Sequence, residues 1–205
     1  MRKIDKAKPI QAFSDFVRKN KPVVWDDCDA QVKREAREFI LLEEQFLLCG
    51  YTEIYIDNED CHIDHYIKRA LNNNLCYDWN NLIVAVNDDD YGAKYKDGGN
   101  GVKNLEDYNL IFNPVNDQTQ DFFRYTTDGK IHPANNLSQT DFNKAEKTIA
   151  IFNLNHNSLK TRRKDLILTM NALKEGGTEN QDLSGILEEQ GFPSFVICMI
   201  ENYLN

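Results

Sequence analysis

The chain has no CxxC pair. Its five cysteines, Cys28, Cys49, Cys61, Cys76 and Cys198, are odd in number and irregularly spaced. That excludes a disulfide framework and a zinc knuckle written in the sequence, and fits a reducing cytoplasm. No apolar run approaches the roughly 20 residues that span a bilayer, and no apolar stretch follows the basic start MRKIDKAKPI, so neither a membrane nor a secreted protein is expected. Internal repeats and low-complexity tracts are also lacking, which leaves no case for a solenoid or a long linker. Positive charge is in deficit: 24 basic against 33 acidic residues give a formal −9. A chain of that charge is not an autonomous duplex binder, because affinity for phosphates comes mainly from cations that displace counterions. Nucleic acid then requires cations gathered on one face or a grip supplied by a partner.

What is present is enough to bury a core. In 205 residues, 41% are hydrophobic and 28% charged, a globular composition with a prior near one domain. The first strongly periodic segment runs from about Gln31 to Cys49. Val32, Ala36, Phe39, Ile40, Phe46 and Leu47 recur at helical spacing there, with Asp29 as cap and Gly50 as stop. TEIYI at 52–56 has strand-forming residues, DNED at 57–60 reads as a turn, and HIDHYI at 62–67 reads as a second strand or a strand entering a loop. After an asparagine-rich connection, NNLIVAV at 80–86 is a short apolar run suited to a buried strand, and a short helix is predicted over Asp90 to Asp97 before the glycine cluster. Residues 102–137 carry turn signals between short apolar pieces. The last third is helical, its stripes including Phe142, Ala145, Ile149 and Phe152, then Leu159, Leu166, Met170 and Leu173. Two short helices follow, with Asp182 as cap of the first, Gly191 at its end and Pro193 opening the second. In the last helix Phe195, Met199 and Tyr203 offer an apolar stripe that a core or a partner can cover.

Chemistry-bearing residues concentrate in Cys61-His62-Ile63-Asp64-His65-Tyr66, in Asn81-Leu82, and in Asp88, Asp89, Asp90 and Lys94. Adjacent strand residues point to opposite sides, so Asp64 and His65 share a site only where the strand ends or twists. A carboxylate that holds a divalent cation and an imidazole that takes a proton from water together meet the needs of phosphodiester hydrolysis. Each residue also has a plainer reading. Asp64 and His65 can be a structural pair, Asn81 a turn cap, and His62 a structural group. Asp88 to Asp90 can be a solvated acidic turn, and Lys160, Arg162, Arg163 and Lys164 an exposed helix face.

The order of a strand with Asp-His, a strand with Asn-Leu and a short helix resembles the HNH nuclease core, a ββα-metal finger. Across about residues 1–165 the chain is similar to the PtuB-type HNH family of Septu and retron-associated antiphage systems, on MRKIDK, LLEEQFLLCGY, HIDHY, YDWNNL, TTDGKIHPA and IFNLNHNSLKTRR. The resemblance implies an α+β fold with a ββα-metal core in a mainly helical domain: a helical segment at 1–50, the core at 51–100, and an irregular segment with C-terminal helices at 101–205, packed as one domain. It implies His65 as general base, Asp64 as metal-binding carboxylate and Asn81 as the brace of the base-bearing loop, with Mg or Mn as cofactor. Asp90 is the candidate for the third metal-facing side chain, His62 lies behind the site, and Lys94, Lys96, Arg162 and Arg163 are candidate nucleic-acid contacts.

Two departures stand out. The CxxC pairs that flank the core in that family, binding structural zinc, are lost: Cys49 is followed by Gly50, Tyr51 and Thr52, and Val86 and Tyr91 stand near the second pair. Structural zinc is therefore not expected. The usual His or Asn early in the short helix has no clean match either. The implied function is a cytoplasmic, metal-dependent endonuclease effector acting on DNA or RNA. Its implied partners are a PtuA-type ATPase and, in a retron, a reverse transcriptase with its reverse-transcribed DNA. The alternative is a noncatalytic HNH-like subunit of an ATPase complex. A third reading, a small zinc module on Cys61, His62 and His65, has less behind it.

Overall fold

A computed structural model describes residues 1–56 and 60–203. The 57–59 part of the predicted DNED turn lies outside the described residues. Two short strands, β1 (Cys61–His65) and β2 (Leu82–Val86), pair antiparallel with Asp64 opposite Ile83 and His65 opposite Leu82. Four of the five LIVAV side chains of β2 are buried, which is why this run is continuously apolar rather than alternating. The short helix Gly92–Asp97 packs against β2. A second small pair, β3 (Phe123–Tyr125) and β4 (Ile131–Pro133), is closed at the Asp128-Gly129 turn, where Gly129 takes a φ of +78° that a glycine adopts without steric cost.

The helices are α1 (Gln11–Asn20), α2 (Ala30–Phe39), α3 (Gly92–Asp97), α4 (Gln139–Ile151), α5 (Asn157–Glu175), α6 (Asn180–Ile186) and α7 (Pro193–Tyr203). The fold is α+β, and buried side chains from Met1 to Met199 join one hydrophobic cluster. Phe195 and Met199 of α7 belong to that cluster, whereas Tyr203 stays exposed. Among the described residues no helix is long and apolar enough to cross a membrane.

The predicted helix over 31–49 is shorter than its periodicity suggests. Asp29 caps α2 through the Gln31 and Val32 N–H groups, but α2 passes into a π-helical turn over Ile40–Glu44, and Phe46 and Leu47 then take left-handed backbone angles. The cause is a tertiary competitor for the helix. The buried Gln45 side chain accepts a hydrogen bond from Val84 N–H and donates to the Val84 and Leu48 carbonyls, each at 2.8 Å. Residues 45–50 therefore line the edge of β2 instead of extending the helix. Gly50 is consequently not a helix stop. It sits against β2, where an added Cβ would lie 2.3 Å from the Ile83 side chain.

TEIYI does not pair with β1. It makes one isolated bridge, Leu48 to Tyr55, and β1 pairs across a longer excursion with β2. Helix α1 lies within the 1–50 segment expected to be helical and turns Phe13, which is buried, and Val17, which is partly so, toward the core. α6 starts without a side-chain cap, one turn earlier than an Asp182 cap would place it.

Gln45→Leu keeps the volume near constant but leaves the Val84 N–H and the Leu48 carbonyl without that partner. Buried unpaired groups cost ~1–3 kcal/mol each, so a loss of about 2–5 kcal/mol is expected in the unfolding free energy from urea titration.

Candidate functional site

Fifteen residues lie between His65 and Asn81, and their conformation decides where the imidazole points. The excursion holds two 3₁₀ turns, Asn73–Leu75 and Trp79–Asn81, opened by the side chains of Asn72 and Asp78, which accept from Asn74 and Asn80 N–H. Asn81 ties the two ends together. Its Oδ1 accepts from Ile67 N–H at 2.8 Å, and its Nδ2 donates to the Ile67 carbonyl at 3.1 Å and the Leu75 carbonyl at 3.2 Å. A single buried amide thus fixes both the exit from β1 and the return toward β2.

The braced loop brings the Cys76 carbonyl to 2.9 Å from His65 Nε2. A carbonyl only accepts, so Nε2 carries the proton and Nδ1 is left as the basic nitrogen. The ring is held on another side by Trp25, edge to face at 4.8 Å and 86°, and is nearly buried. Burial pushes the imidazole pKa down to about 4, with the Cys76 hydrogen bond working against that shift and the charges of Arg69 and Lys96 adding to it. His65 is therefore neutral at physiological pH, in a single tautomer, with a guanidinium in its electrostatic neighbourhood.

Asp64 faces a different environment. Tyr51 donates its hydroxyl to Asp64 Oδ2 at 2.5 Å, and the Lys96 ammonium lies 3.1 Å from Oδ2 and 3.4 Å from Oδ1. Lys96 comes from the last turn of α3, is fully buried, and also donates to the His65 and Tyr66 carbonyls at 3.0 Å and pairs with Asp97 Oδ1 at 2.9 Å. Burial works against its charge, but Asp64 and Asp97 more than offset that, so its pKa is raised. Tyr51, buried beside the carboxylate, is held well above the usual phenol range and donates as a neutral hydroxyl.

The other predicted residues are dispersed. Asp90 does not join Asp64: its side chain is 72% exposed and lies 4.0 Å from His156 Nε2, while its carbonyl accepts from Asn153 Nδ2 at 2.7 Å. That bond, with Gly92 N–H on the Phe152 carbonyl at 2.9 Å, turns the start of α3 toward the α4–α5 connection. His62 lines a groove on the α2 side and does not meet Asp64; its Nδ1 is buried without a hydrogen-bond partner among the described residues. Of the four cations expected at nucleic acid, Lys94 is exposed and pairs with Asp89 at 3.3 Å, and Arg162 is exposed. Lys96 is enclosed with Asp64. Arg163 is buried, donating to the Gly129 and Leu154 carbonyls at 3.0 Å, with its guanidinium over Tyr125 and Phe192. Neither buried cation can reach a phosphate. Tyr91 belongs to the core and Val86 packs against it.

A divalent metal between Asp64 and α3 does not fit these residues. Oxygen or imidazole ligands would have to converge there, but α3 presents an ammonium, Asp64 is engaged by that ammonium and by Tyr51, and Asp90 points elsewhere. Sequence reasoning missed Tyr51, Trp25, Arg69 and the Cys76 carbonyl, and misread Lys96. A usable signal existed only for Lys96, which stands three residues after Ala93 on the buried stripe of α3 and so faces inward. No family model matches the chain, and no curated protein matches it.

The His65 environment sets a pH dependence. In the folded chain the imidazole protonates near pH 4 rather than near 6.5, so between those values the unfolded chain binds a proton that the folded chain refuses. Stability should fall as pH drops through that window and stop responding to this group below it. His65→Gln should remove that component, seen as a smaller difference between urea midpoints measured at about pH 7 and about pH 4.5, which span most of the window.

Proposed function

We propose that the chain is an HNH-type phosphodiesterase subunit acting on nucleic acid, with His65 as general base. What carries the reading is the Asn81-braced loop that sets the Cys76 carbonyl on His65 Nε2, since it leaves a neutral, oriented Nδ1, the form a base needs. Nδ1 takes a proton from water, the resulting oxygen attacks phosphorus, and the bond from phosphorus to the leaving sugar oxygen breaks, that oxygen regaining a proton from solvent. Arg69 is exposed and its charge helps depress the His65 pKa, which supports it as a cation for the phosphate. A groove of about 370 Å³ is lined by Trp25, Lys33, Arg34, Arg37 and His62 among others, and Trp25 is the residue that also packs on the His65 ring. Three cations there compensate locally for the acidic whole.

The similarity to the PtuB-type family supplies the biological setting: a cytoplasmic antiphage effector that works with a PtuA-type ATPase and, in a retron, with a reverse transcriptase and its DNA product. A noncatalytic subunit of such a complex is the second reading, and the Lys96–Asp64 pair favours it, because the carboxylate is spent on an internal ion pair.

His65→Ala should lower cleavage of DNA or RNA by ~10²–10⁴-fold in the presence of the partner ATPase. Wild-type rates in that variant, or no cleavage by the intact complex, would leave the noncatalytic reading. The double charge reversal Lys33→Glu with Arg37→Glu should weaken retention of a radiolabelled oligonucleotide by about tenfold or more and flatten its salt dependence. Retention equal to wild type would take the groove out of the substrate path.

A further inference from the structure

We propose that Lys96 is the resident cation of the ββα unit and that, with its ammonium in place, the Asp64 site takes up no divalent metal. The ammonium sits among oxygens from four groups: the carboxylates of Asp64 and Asp97 and the carbonyls of His65 and Tyr66, at 2.9 to 3.4 Å. Two carboxylates and two carbonyls are the ligand types that draw magnesium or calcium. Here the positive charge at their centre is covalently part of the chain.

A metal ion has two ways in, and both are opposed. It can share the cage with the ammonium, setting a doubly charged cation beside a singly charged one in a buried space. Alternatively it can expel Lys96, whose side chain is fully enclosed and would then be a buried charge without its partners. The carboxylate offers little to a newcomer in either case, since Oδ2 already accepts from Tyr51 at 2.5 Å. The ammonium does the organising a metal would do: it ties the end of β1, through two successive carbonyls, to the last turn of α3, and fixes Asp64 between them. Being enclosed, it touches no substrate and is a positioning residue. The inference shares the ββα unit with the phosphodiesterase reading but not its chemistry, so the test uses no nucleic acid.

The experiment titrates Mn²⁺ into the chelator-stripped full chain and follows free aqueous Mn²⁺ by electron paramagnetic resonance, alongside thermal unfolding with and without Mg²⁺. Wild type should leave the free Mn²⁺ signal as in buffer and melt at the same temperature with or without Mg²⁺. Lys96→Ala empties the cage of its charge, so it should take up about one Mn²⁺ per chain and regain with Mn²⁺ part of the melting temperature lost by the substitution. Stoichiometric uptake by wild type that disappears in Asp64→Asn overturns the proposal. Uptake that Asp64→Asn leaves unchanged lies at other acidic residues and agrees with it. Should Lys96→Ala fail to fold, the wild-type and Asp64→Asn titrations decide between these outcomes on their own.

Discussion

A buried ammonium has to be surrounded by oxygen, and meeting that requirement for Lys96 draws together three parts of the chain that are far apart in sequence. Asp64 and the carbonyls after it come from the end of β1, Asp97 from α3, and Tyr51, which shares the carboxylate, from the segment that runs along β2. Removing one member strands the others: an unpaired carboxylate or ammonium inside a protein is far more costly than the intact pair is stabilising. The cluster therefore acts less as a source of stability than as a condition on the fold. Chain traces that separate α3 from the end of β1 are penalised, and the ββα arrangement is selected.

The opposite side of β1 is governed by a different constraint. His65 carries no charge in the folded state and is held by one hydrogen bond, one aromatic edge and the rigidity of the loop that presents the Cys76 carbonyl. That loop owes its shape to Asn81 more than to hydrophobic contact. An amide can do this because it offers an acceptor and two donors in one plane, matching one N–H and two carbonyls of a partly buried turn. Alternation along a strand thus separates two chemistries at adjacent positions: an ionic cage around Asp64 and a neutral, oriented imidazole at His65.

This division explains which parts of the fold and site were legible in the sequence. β2 and α3 were readable because LIVAV is an uninterrupted apolar run and because a glycine-bounded segment limits helix length; Asp29 was readable as a cap because capping is a local bond. Asp64, His65 and Asn81 could be picked out by their order, but that order does not record that Asp64 meets Tyr51 and Lys96 while His65 meets the Cys76 carbonyl and Trp25. The end of α2 was not, since Gln45 leaves the helix for β2 nearly forty residues away, and no local propensity records that partner. Asp90 was assigned by proximity to the helix start. Its direction is decided instead by Asn153 and Phe152, more than sixty residues later.

Lys96 shows most clearly how a charge is misread. A lysine among Lys94, Tyr95 and Asp97 in an acidic protein reads as a surface cation reaching for phosphate, and residue type alone supports nothing else. Helical phase contradicts that reading: Ala93 and Lys96 lie on one stripe, whereas Lys94 lies on another, and the exposure of the two lysines divides accordingly. An inward lysine on a six-residue helix needs acceptors, and the nearest carboxylate not solvated at the surface is the one the sequence had already singled out, Asp64. The same residue type therefore splits into two roles two positions apart. The inward side chain is enclosed by oxygens of Asp64, Asp97 and two successive carbonyls, while the lysine two positions earlier faces solvent, so helical phase rather than residue type decides where each charge ends up.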